Sequence, residues 1–178
     1  KNYPVGKIAD YAAPAMAIAH IIGRLGDIWN GEHLSMPTKL PWGWIFTHPD
    51  SPGRLGAERL FGDPEIAVHP AVVYEMIWNS CTVMFLIISR GKFKLDGSLW
   101  VIYMFLYSIG RFAIQFLRID DVKFTIGGIG FQAGHIVTFI IFLITLLIMI
   151  FYLRPSSGES INQKKSTSGR KKKAQLRA

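Results

Sequence analysis

Ile136-Val-Thr-Phe-Ile-Ile-Phe-Leu-Ile-Thr-Leu-Leu-Ile-Met-Ile-Phe-Tyr-Leu153 runs for eighteen residues without a charge. A helix rises about 1.5 Å per residue, so a run of this length reaches across most of a bilayer's hydrocarbon core and reads as membrane-spanning. A soluble reading would need a helix of this length buried on every side, in a chain of only 178 residues. Three more apolar segments precede it. Tyr11 to Ile28 is broken by Pro14, His20 and Arg24, and a buried or interfacial helix is the competing reading there. Pro14 fits such a helix if it lies in the first turn. Pro70 to Ser89 opens on a proline, which suits the first helical position. Leu99 to Leu117 is interrupted by Arg111 and Gln115. The fold class expected is all-α: a polytopic membrane helix bundle of about four transmembrane segments with a long extracytoplasmic loop.

That loop covers residues 30–69 and holds Pro37, Pro41, Pro49, Pro52 and Pro64. Loops this long without structure of their own usually carry function. Pro41-Trp-Gly-Trp-Ile-Phe46 within it suits the headgroup level, where tryptophan is enriched, or packs onto the bundle. Cys81 has no second cysteine to pair with and reads as a small buried residue.

Charge sets the expected orientation. The formal net charge is +8, and residues 156–178, with seven Lys/Arg and one acid, supply +6 of it. This tail is rich in Ser, Gly and Lys and has no apolar face, so it is expected to be disordered. A basic tail directly after a membrane segment marks the cytoplasmic side more simply than it marks a nucleic-acid partner. The chain thus divides into a membrane-embedded domain, 1–155, and a basic cytoplasmic tail, 156–178. Arg90, Lys92 and Lys94 mark a second cytoplasmic turn. Single crossings between these points place Arg24 to Glu32, the long loop, His69, Glu75, Arg111, Arg118, Asp120 and Asp121 toward the extracytoplasmic face.

Several of these polar residues carry candidate chemistry. Gly23-Arg-Leu-Gly-Asp-Ile-Trp-Asn-Gly-Glu32 collects charge at an apolar boundary. Arg24 and Asp27 share a helix face, either as an internal ion pair or as an arginine that meets phosphate while the aspartate orients it. Asn30 and Glu32 stand ready to fix the loop that leaves this helix. Arg111, Gln115 and Arg118 recur at i, i+4, i+7 on one face. Arg118 reads as an interface anchor, whereas Arg111 lies deeper and needs an anionic partner such as Asp27, Glu75 or a lipid phosphate. Glu75 could accept a proton, pair with Arg111 or hold Arg24. His69, next to Pro70 and a turn before Tyr74-Glu75, is a candidate base or a helix-start residue. No metal-ligand spacing, phosphate-binding glycine loop or hydrolase elbow is visible.

Read together, five blocks resemble the prolipoprotein diacylglyceryl transferase family. They are Gly23 to Glu32, Pro41 to Phe46, His69-Pro-Ala-Val-Val-Tyr-Glu75, Tyr107 to Asp120 with its Arg-Phe-Ala-Ile-Gln-Phe-Leu-Arg core, and Gly134-His-Ile-Val-Thr138. Asp27, Gln115 and His135 stand where the family pattern has asparagine, glutamate and glutamine. The family's N-terminal helices and their His-Gly-Gly stretch have no counterpart here, so the chain reads as a C-terminal part that awaits an N-terminal portion or partner chain.

The resemblance implies a bacterial inner-membrane enzyme that works on the extracytoplasmic side without cofactor or metal. It would transfer diacylglyceryl from phosphatidylglycerol to the lipobox cysteine of a prolipoprotein signal peptide and release glycerol 1-phosphate. Arg24, Arg111 and Glu75 would be the catalytic residues. Arg24, Asp27, Asn30, Glu32, His69, Tyr74, Gln115 and Arg118 would bind substrate. A noncatalytic lipid-binding or scaffold subunit is the alternative, and a transporter fragment a further one.

Overall fold

The computed structural model describes residues 3–119, 122–126 and 129–152. In chain order the elements are α1 (Val5–Asn30), α2 (Pro52–Phe61), α3 (Ala71–Ile88), α4 (Ser98–Gln115), β1 (Val122–Ile126), β2 (Ile129–Gln132) and α5 (Ala133–Tyr152). The tail expected to be disordered, together with Asp120 and Asp121, lies outside the described residues.

Helices α1, α3 and α4 pack against one another, and α5 packs on α4. The core is small: Ala13 and Ala17 of α1 meet Leu86 of α3 and Leu99, Ile102 and Tyr103 of α4. Alanine on α1 permits close helix approach, and larger side chains from the partners fill the space. The opposite faces are left bare. Ile140, Leu147, Ile150 and Phe151 on α5 and Ile77, Met84 and Ile88 on α3 are all exposed. Soluble monomers rarely expose apolar surface this continuously. Cys81, expected to be buried, lies on such an exposed face of α3.

Two described helices, α3 and α5, are long and apolar enough to cross a membrane, not the four expected from the sequence. The reason is composition rather than length. Helix α1 has 26 residues but includes Lys7, Asp10, Arg24 and Asp27, and α4 includes Arg111, Gln115 and two serines. Two further corrections concern the connections. Pro14 lies well inside α1, beyond the first turn, and the helix continues through it. An antiparallel hairpin, β1–β2, stands between α4 and α5, which the all-α expectation did not include. Val122, Phe124, Ile126, Ile129 and Phe131 are the strand-type residues that form it.

The long excursion also has structure of its own. Helix α2 starts on Ser51, whose hydroxyl oxygen accepts from the Arg54 N–H, continues with Pro52 and stops at Gly62 with φ +72°. These are ordinary start and stop signals. Trp44 and Val68 exchange both backbone hydrogen bonds at 2.9 Å, and Met36 N–H donates to Leu117 at 2.8 Å while its carbonyl accepts from His69 at 3.0 Å. The loop is thereby stitched to the end of α4 and the start of α3.

At the opposite end Asp10 locks α1 to α4. Its two carboxylate oxygens accept from the backbone N–H groups of Gly97 and Leu99, each at 2.8 Å, and Trp100 at 3.2 Å. A carboxylate from another helix thus caps α4 at the positive end of its dipole. Asp10→Ala is expected to cost about 1–2 kcal/mol by loss of this cap. Asp10→Asn is expected to cost less. Thermal unfolding of the three proteins in one detergent checks the order.

Candidate active site

Glu75 is the centre of the polar cluster. It is 5% exposed, on the inward face of α3 that also presents Val72, Asn79, Thr82 and Leu86. Its Oε1 accepts from Arg24 Nη2 at 2.9 Å and its Oε2 from Arg111 Nη1 at 3.4 Å. One carboxylate therefore holds arginines from two helices. Arg24 also donates through Nη1 to Asp27 Oδ2, three residues along α1. Both guanidiniums are about four-fifths buried and retain further N–H donors, the kind of rigid fork that recognises phosphate oxygens.

Local sequence explains why the cluster closes. A side chain at Gly110 would drive its Cβ to within 2.7 Å of Trp78 ring atoms, so glycine lets α4 approach α3 one residue before Arg111. Trp78 Nε1 seals that approach by donating to the Leu106 carbonyl at 2.9 Å. At the end of α1, Gly31 adopts φ +64° and turns the chain back over the helix terminus.

The turn delivers a residue that sequence reading passed over. His33 Nε2 lies 3.3 Å from Asp27 Oδ2, and His33 Nδ1 lies 2.8 Å from Arg118 Nη2. The network thus runs Arg118–His33–Asp27–Arg24–Glu75–Arg111 across three separate segments. No fixed spacing announces His33. The nearest signal was its place directly after Gly31-Glu32, where a left-handed turn can fold it back.

Arg24, Asp27, Glu75, Arg111 and Arg118 come together in this network. Asn30 and Glu32 sit at its edge: Asn30 Nδ2 donates to Glu32 Oε1 at 2.6 Å, and an oxygen of Glu32 comes within 4.8 Å of Asp27 and His33. His69 and Tyr74 are not in the network. Tyr74 oxygen accepts from Trp42 Nε1 at 2.8 Å and meets His69 Nδ1 at 3.4 Å, which ties the Pro41–Phe46 segment to the first turn of α3. Gln115 is 1% exposed and lies behind the cluster. Its Nε2 donates to Gln132 Oε1, and Gln132 Nε2 donates to the Arg118 carbonyl at 2.9 Å.

Asp27, Glu32 and His33 form the one grouping among the described residues with metal-ligand types this close. Their contacts argue against that use. His33 has both nitrogens engaged, Asp27 is paired with Arg24, and Arg24 and Arg118 bring positive charge to the place a cation would take.

Residues 1–151 match the family model described as prolipoprotein diacylglyceryl transferase. The chain belongs to this family. Curated relatives named phosphatidylglycerol–prolipoprotein diacylglyceryl transferase include one from Mycobacteroides abscessus, 36% identical over 135 residues, covering 72% of this chain and 39% of that protein. A relative from Corynebacterium glutamicum is 32% identical over 164 residues, covering 90% and 50% respectively. One from Prochlorococcus marinus is 34% identical over 152 residues, covering 79% and 47%. The chain therefore spans half or less of the length of these family members.

Removing Glu75 would strand two mostly buried guanidiniums without their shared counter-charge. Glu75→Ala is expected to destabilise the chain by about 3–5 kcal/mol, the range for breaking a buried pair. A midpoint shift in thermal unfolding checks it. No shift would mean that water already compensates the arginines.

Proposed function

We propose that this chain supplies the anion-holding part of a membrane enzyme that transfers the diacylglyceryl group of phosphatidylglycerol to the lipobox cysteine thiol of a prolipoprotein. The observation that carries the reading is the Glu75 carboxylate shared between Arg24 and Arg111, a preorganised pair of guanidiniums among apolar helices.

In this reaction the cysteine thiolate attacks the glycerol carbon that bears the phosphate. A carbon–sulfur bond forms, the carbon–oxygen bond breaks, and its electron pair leaves with glycerol 1-phosphate. Negative charge on the phosphate grows as that bond breaks. Donors fixed beforehand around the phosphate favour the transition state over the ground state. Arg24 and Arg111 are placed for that work. Glu75 and Asp27 hold them, and Arg118 approaches through His33. The thiol's proton passes to a base that the described residues do not assign.

The orientation follows from charge. Arg90, Lys92 and Lys94 lie in the turn between α3 and α4, beside Lys7 near the start of α1. With that end cytoplasmic, α1 and α4 run outward, α3 and α5 run inward, and the arginine cluster faces the extracytoplasmic side, where a translocated signal peptide presents its cysteine. In a Cys81→Ser background, a cysteine introduced at His48 is expected to react with an impermeant maleimide on intact cells, and one at Lys92 only after permeabilisation. The reverse pattern would invert the topology.

A noncatalytic lipid-binding subunit is the second reading, favoured by Asp27 and Gln115, which stand where the resemblance has asparagine and glutamate. Transfer from labelled phosphatidylglycerol to a lipobox peptide separates the two. The assay compares the chain alone with the chain joined to the N-terminal half of the Corynebacterium glutamicum relative. Activity in the joined form, falling on the order of 100-fold or more in kcat for Arg24→Ala or Arg111→Ala, supports the enzyme. Lipid binding without transfer in both forms supports the subunit.

A further inference from the structure

We propose that His33 is a positioning residue for the anion site, tying Arg118 at the end of α4 to Asp27 on α1 and so setting the placement of Arg24. The proposal rests on the functional reading above for its consequence, but its geometry stands independently.

A guanidinium donates and cannot accept, so the 2.8 Å contact with Arg118 Nη2 makes His33 Nδ1 the acceptor. The neutral ring then carries its hydrogen on Nε2, which faces Asp27 Oδ2 at 3.3 Å. Arg24 Nη1 donates to that same oxygen. One tautomer thus satisfies both contacts, and the protonated ring satisfies only one. The backbone supports a dedicated role: His33 has φ +66°, and among the described residues it is the one non-glycine with positive φ. Such a conformation persists where surrounding contacts impose it.

The charged and titratable groups around His33 come from every neighbouring segment. Asp27 and Arg24 face it from α1, Glu32 from the same turn and Arg118 from the end of α4, and His69 lines the same small cavity from the segment before α3. Burial, then Arg118, pushes the His33 pKa below its ordinary value, with Asp27 pulling the other way, Arg24 lowering it further and Glu32 opposing. The folded state thus favours the neutral ring. Its stabilising contribution is present above the unfolded-state value of about 6.5 and is lost as pH falls through the lower folded-state value. An added proton must land on Nδ1, against Arg118, and breaks that link.

Glutamine is the informative replacement, since its oxygen can accept from Arg118 while its amide donates to Asp27, without titrating. The test uses the full chain in phosphatidylcholine nanodiscs, titrated with fluorescent phosphatidylglycerol between about pH 5 and pH 8, with thermal midpoints and His33 nitrogen-15 spectra on the same samples. Wild type is expected to lose thermal midpoint as pH falls below the unfolded-state value of about 6.5, and affinity as pH falls through the lower folded-state value. His33→Gln is expected to stay within about twofold of wild-type affinity at neutral pH and to lack the His33-dependent acid limb. His33→Leu is expected to bind at least about fivefold more weakly than wild type at neutral pH, with Arg118 and Asp27 unlinked, and to converge with wild type at the acid end. The spectrum is expected to show hydrogen on Nε2 alone at neutral pH.

Hydrogen on Nδ1, a His33→Leu protein that binds like wild type, or an acid limb unchanged in His33→Gln would each overturn the proposal. Wild type that binds no phosphatidylglycerol at any pH would instead overturn the functional reading. The spectra and thermal midpoints would then still decide whether His33 positions its neighbours.

Discussion

One carboxylate held between two guanidiniums governs the upper half of this molecule. Glu75 is buried, and it supplies the counter-charge that two mostly buried arginines share. The three side chains come from three different helices, so the pairing dictates how α1, α3 and α4 may sit at that level. Three arginines, Arg24, Arg111 and Arg118, and three carboxylates, Asp27, Glu75 and, at the rim, Glu32, thus meet at one end of the bundle.

The rest of the bundle reads as the means of keeping that arrangement in register. Helix α3 runs against α1 and α4, so moving away from Glu75 along α3 means moving back toward the starts of the other two. At the far end Asp10 caps α4 from α1, fixing the relative height of these two helices. Between the two polar ends lies an apolar layer of Ala13, Ala17, Leu86, Leu99 and Ile102. Apolar contact alone tolerates sliding. Two polar locks, one at each end, do not, and together they fix how α1 and α4 sit against each other.

Much of this was legible in the sequence. The apolar blocks located the four long helices to within a few residues, apart from an earlier start to α1, because long and mostly apolar runs have few other uses. Arg24, Asp27, Glu75 and Arg111 stood out as charges within apolar surroundings, where a polar group needs a partner. What stayed hidden were choices decided in three dimensions. Glu75 had several eligible partners, and the structure joins it to both arginines, made possible by a glycine packed on Trp78. The capping signals of α2 were present but outweighed by the surrounding Pro and Gly. His33 was invisible because its role depends on one left-handed turn. Only two of the four expected spans are apolar enough to read as such, because the cluster's charges and the Asp10 lock lower the apolarity of α1 and α4.

The departures from the family pattern gain sense from the same geometry. Asp27 stands where asparagine is expected and Gln115 where glutamate is expected, so a negative charge present on α4 in that pattern is found on α1 here. At the α4 position the surroundings are neutral and amide-like: Gln115 donates to Gln132, whose backbone N–H donates to His135 Nδ1 at 3.1 Å. A carboxylate at 115 could not donate to the Gln132 oxygen, and the buried pair would have to reorganise. On α1 the added carboxylate has two donors waiting, Arg24 and His33. Gln115 thus sits where amides satisfy one another, and Asp27 sits where an arginine and a histidine receive its charge.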